Sequence, residues 1–340
     1  VQRGLDCLAR FASRLNGFLP QQIRAVATQT LREARNRDAF MQQAQAALGY
    51  PIEVISGREE ARLIYKGVSR LHATHVARLV IDIGGRSTEM ILGQGRNPRH
   101  AESFAVGSVA LSLACFPDGE LTAAAFRAAQ VAAGAHLEEG LETFAPGRWQ
   151  EALGSSGTIS AVSQILAASG VTDGRITAEG LRWLILHCIE AGKLSRLALP
   201  GLNDERRGVV ASGAAILYTL AAQFGIAELR PTPGALRQGL IFDLDERRHA
   251  AVLHQVGHDV RDASMRDLQR RFMVDTHQAQ RVTRVAQHLY GIVQPNAGVE
   301  RTRELLWACA VHEMGMMVSH HDHHRHGAYL LAHADAPGFS

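Results

Sequence analysis

Cysteine is scarce in this sequence of 340 residues, and its four cysteines lie far apart without any C-x-x-C spacing. This distribution argues against a disulfide framework and against a cysteine-bound zinc site, and it is typical of a reducing compartment. Long apolar runs are also missing, so no segment has the length of a membrane span, and no secretory signal is recognisable. Together these absences predict a cytoplasmic protein that does not insert stably into a membrane.

Charge of one sign is not in excess either. The 36 Lys and Arg residues against 33 Asp and Glu residues leave a net charge of +3, which is too small to indicate a nucleic-acid partner but is compatible with an anionic substrate. Hydrophobic residues make up 46% of the chain and charged residues 20%, a balance that predicts a packed globular protein with two or three domains. An initiating methionine is absent as well, and we expect the chain to be a fragment or a processed product.

Alternating helical and strand-like segments predict an α/β protein whose character changes near the C-terminus. Up to residue 76, apolar residues recur at helical and then at strand spacing. The second region, 77–244, continues this alternation and includes a helix predicted from Asp204 to Phe224, with Asn203 as its N-cap. Residues 245–340 are helical in pattern and rich in arginine and histidine. We therefore predict three domains with these boundaries.

The segment VIDIGGRSTEM, residues 80–90, is typical of a strand, a tight turn and a second strand, with acidic and hydroxyl side chains gathered at the turn. An aspartate that ends a strand can bind Mg²⁺, and a glycine-rich turn can present backbone N–H groups to a phosphate. The candidates are Asp82 and Glu89 for the metal, and Gly84, Gly85, Ser87 and Thr88 for the phosphate. A plain β-hairpin explains the same residues equally well, so the segment alone leaves both interpretations open.

A second glycine- and serine-rich loop, LGSSGTISAV, precedes a predicted helix. Backbone N–H groups and hydroxyls at the positive end of a helix can wrap a phosphate. The candidates for this role are Gly154, Ser155, Ser156, Gly157 and Thr158. An ordinary N-capped turn between a strand and a helix is the simpler explanation, and the segment alone favours it.

Further charged candidates stand at predicted helix starts. Glu59 and Glu60 open a helix, and adjacent helical residues point in different directions. We therefore expect at most one of them to face a cleft, while the other is solvated or caps the helix. Arg237 lies in the first turns of a later helix, where it can bind phosphate or simply cover the helix surface. His312 and Glu313, with the histidine-rich segment after them, can hold a metal in principle, but a histidine-rich helical surface is the favoured interpretation.

Taken together, these segments resemble the exopolyphosphatase and guanosine pentaphosphate phosphohydrolase family. The matching segments follow one another in the family's order and are ATQTLREARNRDAF, YPIEVISGREEARLIYKGV, LVIDIGGRSTEMILG, VGSVAL, LGSSGTISAV, LPGLNDERR and GALRQG. The late segment HEMGMMVSHHDHHRHGAYLL also looks like the family's C-terminal helical region. The resemblance extends along nearly the whole chain, and no single motif carries it.

This resemblance implies a fold and an activity. It implies two actin-like, ribonuclease H-like α/β domains, the first of them incomplete, with the active site in the cleft between them. An all-α C-terminal region related to HD phosphohydrolases would follow. The implied activity is Mg²⁺-dependent removal of terminal phosphate from inorganic polyphosphate, or of the 5′ γ-phosphate from guanosine pentaphosphate. The full-length protein is expected to be a homodimer.

The resemblance also assigns roles by position. Glu60 matches the catalytic base that orients the attacking water, and Asp82 matches the metal-linked aspartate, with Glu89 close by. The two glycine-rich segments match the family's phosphate loops. His312 and Glu313 occupy the place of the His-Asp doublet of HD enzymes, with glutamate instead of aspartate.

The sequence departs from the family's pattern in four places, one of which is its C-terminus, where we expect the helical region to stop early. A phosphate loop of the form Asp-x-Gly-Ser-Asn-Ser is expected upstream of Val1, Arg86 replaces a usual third glycine, and Pro233 replaces an acidic residue. If the turn needs a positive φ or a close approach to phosphate, the Arg86 side chain costs stability or fit. If its guanidinium points outward, it adds a cation beside a polyanion. We expect the first, so that Arg86→Gly raises activity.

An exopolyphosphatase is the function that this sequence favours. Water oriented by Glu60 would attack the terminal phosphate while Mg²⁺ near Asp82 and Glu89 neutralises its charge. Guanosine pentaphosphate hydrolysis at the same site is the alternative within the enzyme class. A non-catalytic protein that binds polyphosphate or nucleotide is the alternative from another class.

Overall fold

Residues 1–252 and 259–340 are described by a computed structural model, whose contacts divide the chain into the units Val1–Asp243 and Leu244–Ser340. The first unit contains two β-sheets with their helices, and the second unit is helical. The α/β class with a helical C-terminal region is therefore confirmed. The predicted boundary between residues 76 and 77 falls inside the first unit, and the division into three domains stays a prediction.

The smaller sheet has two parallel strands, β1 (Ala25–Ala27) and β2 (Ile52–Val54). Parallel neighbours need a crossover connection, and two of the three helices of this region provide it: α1 is Gln2–Arg14, α2 is Gln29–Glu33 and α3 is Arg37–Leu48. Helix α3 ends at Gly49, whose φ of 79° is left-handed and suits a glycine. Helix α2 thus follows directly after β1 in the chain.

The larger sheet has five strands in the order β5-β4-β3-β6-β7. The strands are β3 (Ala77–Ile83), β4 (Thr88–Gln94), β5 (Asn97–Phe104), β6 (Glu151–Ser155) and β7 (Arg230–Pro231). Strands β3 to β5 are antiparallel neighbours, whereas β6 runs parallel to β3 on its other side. Ile83 pairs with Thr88, so the strand, turn and strand predicted for residues 80–90 are confirmed.

Eight α-helices follow in the chain. The last of them, α11, extends from the first unit into the second. They are α4 (Gly57–Leu71), α5 (Ser108–Cys115), α6 (Ala123–Leu137), α7 (Gly157–Ala168), α8 (Ala178–Ala191), α9 (Asp204–Arg207), α10 (Val210–Gln223) and α11 (Leu236–Val252). Asn203 accepts a hydrogen bond of 2.9 Å from the N–H of Arg206, so the predicted N-cap is confirmed. The single helix predicted after it is wrong, because α9 ends before Gly208, a residue with poor helix propensity.

Side-chain alternation along the strands separates the two faces of the larger sheet. The odd-numbered residues of β3 face the main core, which α5 to α8 and α10 complete. On the other face, Val80 aligns with Ile91 and Leu153 of the neighbouring strands, and this apolar row packs beneath Ala61 and Tyr65 of α4. Helix α4 therefore covers one face of the sheet and begins near the ends of β3 and β6.

A buried ionic network ties α4 to α11 and to the smaller sheet. Asp243 of α11 is 2% exposed and accepts contacts of 2.8 Å each from Arg24, Arg62 and Lys66. Arg62 also donates to the buried Glu59, at 2.7 Å. The helices can approach closely because a Cβ atom at Gly239 would come within 1.8 Å of the backbone of α4. The network fixes the position of α4 over the sheet.

In the described residues of the second unit, 244–252 and 259–340, four further α-helices surround a small core. They are α12 (Val260–Arg271), α13 (Thr276–Val293), α14 (Val299–Ala310) and α15 (His323–His333). Met265, Leu268 and Trp307 are among its buried core residues. His312 Nε2 lies 3.6 Å from Glu313 Oε1, but the described residues contain no group of three potential ligands that could hold a metal ion. The relation to HD enzymes stays a prediction.

None of the helices in residues 1–252 and 259–340 is long and apolar enough to cross a membrane.

Candidate active site

Strand register brings four polar side chains into a row across the larger sheet. Asp82 lies opposite Glu89 of β4 and opposite Ser155 of β6, and Glu89 in turn lies opposite Ser103 of β5. Because directly opposed residues share a face of the sheet, this polar row lies on the side of α4, beside the apolar row of Val80. The Ser103 hydroxyl donates a hydrogen bond of 2.7 Å to Glu89 Oε1.

Helix α4 begins over the polar row and carries Glu60 in its first turn. The Ser56 hydroxyl caps the helix by accepting the N–H of Glu59 at 3.2 Å. The helix start lies close to β5, because a Cβ atom at Gly57 would come within 2.4 Å of the Cβ of Ser103. Glu60 is 7% exposed and interacts electrostatically with Asp82. Three predicted site residues, Glu60, Asp82 and Glu89, are thus brought into one cluster.

Arg32 of α2 joins this cluster from the smaller sheet, although sequence reasoning did not select it. Its Nη1 atom lies 3.1 Å from Glu60 Oε2 and donates a hydrogen bond of 2.7 Å to the carbonyl oxygen of Ile55. The side chain therefore holds Glu60 and the segment before α4 together. The feature of the sequence that could have indicated Arg32 is its position in the motif ATQTLREARN.

Burial raises the pKa of all three carboxyl groups. The pKa of Glu60 rises to about 7 through burial, which the nearby Arg32 partly opposes and the charge of Asp82 reinforces. Burial raises the pKa of Asp82 to about 6, with the Ser155 hydroxyl acting in the opposite direction. Burial and the charges of Glu60 and Asp82 raise the pKa of Glu89 to about 8. Such mutually perturbed carboxyl groups are typical of functional sites.

Two of these carboxyl groups fit a divalent cation. Neither Asp82 nor Glu89 has an ion-pair partner in the described ranges 1–252 and 259–340; serine hydroxyls are their neighbours. A bound cation would supply the missing positive charge. Mg²⁺ typically takes one or two carboxylates together with water and substrate phosphates, so it does not need a cluster of three protein ligands. The assignment of Asp82 and Glu89 to the metal stays a prediction.

Stability without a divalent cation is expected to fall as pH rises from about 5.5 to about 8.5. A carboxyl group whose pKa is raised on folding stabilises the protein at low pH and loses this effect as pH passes its folded pKa, here about 6 to 8. Glu89→Gln should therefore raise the melting temperature at pH 8.5 by about 3 °C or more. Thermal unfolding at several pH values checks this.

The matched control is Glu102→Gln, which changes a partly exposed glutamate of β5 and should leave the pH dependence unchanged. Added Mg²⁺ should raise the melting temperature more at pH 8.5 than at pH 5.5, and less in Glu89→Gln than in the wild type. A lower melting temperature of Glu89→Gln at pH 8.5 would contradict the repulsion between the carboxylates.

In the turn between β3 and β4, some backbone groups are hydrogen-bonded within the protein and others are not. The N–H of Gly84 donates to the carbonyl of Ser87 at 2.9 Å, and the Gly84 carbonyl accepts from the N–H of Ser108 at 2.9 Å. In the described part of the chain, the N–H groups of Gly85 and Arg86 have no acceptor. Unpaired N–H groups of this kind can bind phosphoryl oxygens.

Arg86 does not strain this turn, contrary to expectation. Within the described residues, Ser156, Met273 and Asp322 are the non-glycine residues with positive φ, and Arg86 is not among them. Its half-exposed side chain points outward, with Nε 3.4 Å from Glu33 Oε2 of α2. A strained backbone at Arg86 is therefore no reason to expect that Arg86→Gly raises activity.

The second loop carries the strain that was expected in the first. Ser156 has φ 102° and caps α7 by accepting the N–H of Ile159 at 3.3 Å. A non-glycine residue in this conformation costs about 1–3 kcal/mol, and such residues cluster at ligand sites. The N–H groups of Gly157 and Thr158 belong to the first turn of α7 and have no acceptor within the helix. Ligand binding by this loop stays a prediction.

Two hydroxyls of the second loop hold neighbouring segments. Ser155 donates to the carbonyl of Gly234 at 2.8 Å, and Thr158 donates to the hydroxyl of Ser108 at 3.3 Å. The Ser108 hydroxyl in turn donates to the carbonyl of Gly84 at 3.1 Å. The two glycine-rich loops are therefore linked through Ser108, at the ends of the neighbouring parallel strands β3 and β6. The feature of the sequence that could have indicated Ser108 is its position in the motif VGSVAL.

Two arginines differ in their relation to the second loop. Arg206 was not selected from the sequence, yet a Cβ atom at Gly157 would come within 2.3 Å of its Nη2 atom. In the described ranges, Arg206 has no carboxylate partner. Arg237, which was selected, is exposed in the first turn of α11, and no contact in the described residues joins it to the polar row. The phosphate role of Arg237 stays a prediction.

Glu59, which was expected to be solvated or to cap its helix, is not solvated. It is 1% exposed and lies 2.7 Å from Arg62 in the ionic network of α4. Its backbone N–H donates to the capping hydroxyl of Ser56, while its side chain takes part in the ionic network. Glu59 and Glu60 therefore point in different directions, as predicted, but both are buried.

Family models match most of the chain. A model described as the Ppx/GppA phosphatase family matches residues 1–248, and a model of domain III of the same family matches residues 260–340. The chain belongs to the Ppx/GppA phosphatase family. The resemblance found in the motifs is thereby confirmed, and with it membership in a family of phosphatases.

Solved structures of Ppx/GppA proteins share the fold. A Ppx/GppA enzyme from Aquifex aeolicus is 20% identical, with a TM-score of 0.58, and the match covers 72% of this chain and 82% of that chain. An exopolyphosphatase from Cytophaga hutchinsonii is also 20% identical, with a TM-score of 0.63, and the match covers 72% of this chain and 81% of that chain. At this identity the likeness establishes the fold alone.

Proposed function

We propose that this member of the Ppx/GppA family is an exopolyphosphatase, which hydrolyses the terminal phosphoanhydride bond of inorganic polyphosphate. The observation that carries the proposal is the meeting of three buried carboxyl groups with two glycine-rich loops at the ends of β3 and β6. The loops offer N–H groups for phosphoryl oxygens, and the carboxyl groups offer a base and metal ligands.

Glu60 is the base in this proposal. Its oxygens accept a hydrogen bond from the attacking water, whose oxygen forms a bond to the terminal phosphorus. The bond from that phosphorus to the bridging oxygen breaks, the proton of the water passes to Glu60, and the shortened chain leaves with the bridging oxygen. Arg32 holds the Glu60 carboxylate at 3.1 Å, and a pKa of about 7 suits a group that takes and returns a proton near neutral pH.

Mg²⁺ would be held by Asp82 and Glu89, where it would neutralise charge on the transferring phosphoryl group. The N–H groups of Gly85, Arg86, Gly157 and Thr158 would bind phosphoryl oxygens, since they lack acceptors within the described part of the chain. The guanidinium of Arg206 lies against the second loop and would pair with the same anion. Because other groups bind Mg²⁺ and the phosphoryl oxygens in this proposal, Glu60 can orient the attacking water.

Phosphate release tests the proposal. Long-chain polyphosphate with Mg²⁺ should give inorganic phosphate, and chelation of the metal should abolish the release. Guanosine pentaphosphate carries the same type of terminal bond and is the competing substrate. If the protein is an exopolyphosphatase, the kcat/KM for guanosine pentaphosphate under identical conditions should be lower than that for polyphosphate. Turnover of guanosine pentaphosphate alone, or binding of polyphosphate without any release, would overturn the proposal in favour of one of the two alternatives.

A further inference from the structure

A basic pocket lies at the end of the β4–β5 hairpin that is remote from the polar row. It has a volume of about 640 Å³, and its lining includes Thr74, His75, Gln94, Arg96, Asn97 and Arg99. Two of these side chains are permanently cationic, and none of the lining residues is acidic. The remaining polar groups are hydroxyl, amide and imidazole groups, which complement an anion.

The two arginines of this pocket are not neutralised by the protein. In the ranges 1–252 and 259–340, neither Arg96 nor Arg99 has a carboxylate partner. Other arginines near the sheet are paired: Arg58 with Glu102 at 2.9 Å and Arg78 with Glu151 at 3.0 Å. The basic pocket therefore holds two guanidinium groups whose charge no carboxylate of the described residues neutralises, and guanidinium groups bind phosphate oxygens in a bidentate manner.

The hairpin turn that carries Arg96, and that precedes Arg99 on β5, is held in place by a side chain of α4. Gly95 has a φ of 57°, and its carbonyl accepts a hydrogen bond of 3.1 Å from the hydroxyl of Tyr65 on α4. The ring of Tyr65 fits only because residue 93 is glycine, since a Cβ atom there would lie 2.3 Å from Cζ.

Hydrogen bonds also fix the wall of the pocket. The guanidinium of Arg99 donates to Gln94 Oε1, and Gln94 Nε2 donates to the carbonyl of His75 at 2.8 Å. One arginine of the pocket is therefore oriented before any ligand arrives, which lowers the entropy cost of binding.

The pocket is separate from the proposed reaction centre. Gln94 lies five residues beyond Glu89 on β4, and at about 3.3 Å per residue this places the pocket roughly 17 Å from the polar row. A small anion can occupy either site but cannot reach both. An extended chain of phosphates can reach both.

We propose that the basic pocket is a second anion-binding site, which takes phosphate groups through Arg96 and Arg99. The phosphate groups belong either to the distal part of a polyphosphate chain whose end lies at the polar row, or to a separate small phosphate compound. The first source rests on the proposed function, whereas the binding chemistry itself does not.

Calorimetric titration with tripolyphosphate tests the site in the full chain. In the background of Glu60→Gln, which is expected to slow turnover strongly, two binding events are expected. Adding Arg96→Gln and Arg99→Gln should remove one event and leave the other. The control is Arg175→Gln with Arg230→Gln, two arginines that share Glu228; both binding events should remain. Two events of unchanged affinity after loss of Arg96 and Arg99 would overturn the proposal.

Kinetics with Glu60 intact distinguish the two sources. If the pocket holds the distal chain, Arg96→Gln with Arg99→Gln raises KM for long-chain polyphosphate about tenfold and leaves KM for tripolyphosphate unchanged. If it holds a separate compound, both KM values stay constant while the titration still loses one event. Because the titration needs no turnover, it can succeed where phosphate release fails, which separates this proposal from the proposed function.

Discussion

Glu60→Gln is expected to lower kcat for phosphate release from polyphosphate by about 10²–10⁴-fold, the range in which a positioned general base contributes. Glutamine keeps the size of the side chain and a hydrogen bond to the attacking water, but it cannot take the proton. The fold should remain intact, because the amide removes one negative charge from a buried cluster that also contains Asp82 and Glu89. Phosphate release and substrate binding are measured on the same preparation.

The pH profile adds a second readout for Glu60. A base must be deprotonated to act, so kcat/KM of the wild type should rise with pH through the region of its pKa, about 7 in the structure without ligand. The residual activity of Glu60→Gln should lack this limb. Glu102→Gln, which removes a partly exposed carboxylate on the neighbouring strand, is the matched control and should keep both rate and profile. Equal rates of Glu60→Gln and wild type would show that Glu60 is not the base.

Asp243→Ala is expected to lower the free energy of unfolding by about 3–5 kcal/mol, because it removes the buried carboxylate that three cations share, and leaves Arg24 and Arg62 with their glutamate partners alone. Asp243 is 2% exposed and receives Arg24, Arg62 and Lys66 at 2.8 Å each. The Arg24 side chain is itself only 4% exposed, so water cannot replace the lost carboxylate easily. Denaturant unfolding of wild type and variant measures the difference.

Glu228→Ala is the matched control for this prediction. Glu228 also accepts more than one cation, Arg175 and Arg230, but both arginines are about half exposed or more. Solvent screens such pairs, so the loss should be below about 1 kcal/mol. Equal destabilisation by both variants would mean that burial is not what makes the Asp243 network strong.

Local sequence determined the parts of the site that depend on neighbours in the chain. The turn between β3 and β4 follows from two apolar runs around Gly84 and Gly85, and the caps at Ser56 and Asn203 follow from side chains that can accept a backbone N–H three residues later. These features need only backbone preferences and short-range hydrogen bonds. The motifs in their order were also enough to identify the family.

Tertiary structure alone decided which of these residues meet. Strand register places Asp82 between Glu89 and Ser155, and the parallel pairing of β3 with β6 joins segments that are 73 positions apart at this point. No local pattern contains that pairing, because it is selected by burial of both faces of the sheet. The same holds for Arg32 and Arg206, which approach the site from distant helices.

Burial also decided the chemistry of individual side chains. From its sequence context, Glu59 was expected to be solvated or to cap its helix, whereas the structure places its side chain in an ionic network. Arg86 was expected to strain its turn, but the positive φ occurs at Ser156 in the second loop. The sequence by itself therefore determined the family, the fold class and the candidate groups. Their burial, partners and pKa values depend on segments far apart in the chain, which only the folded structure brings together.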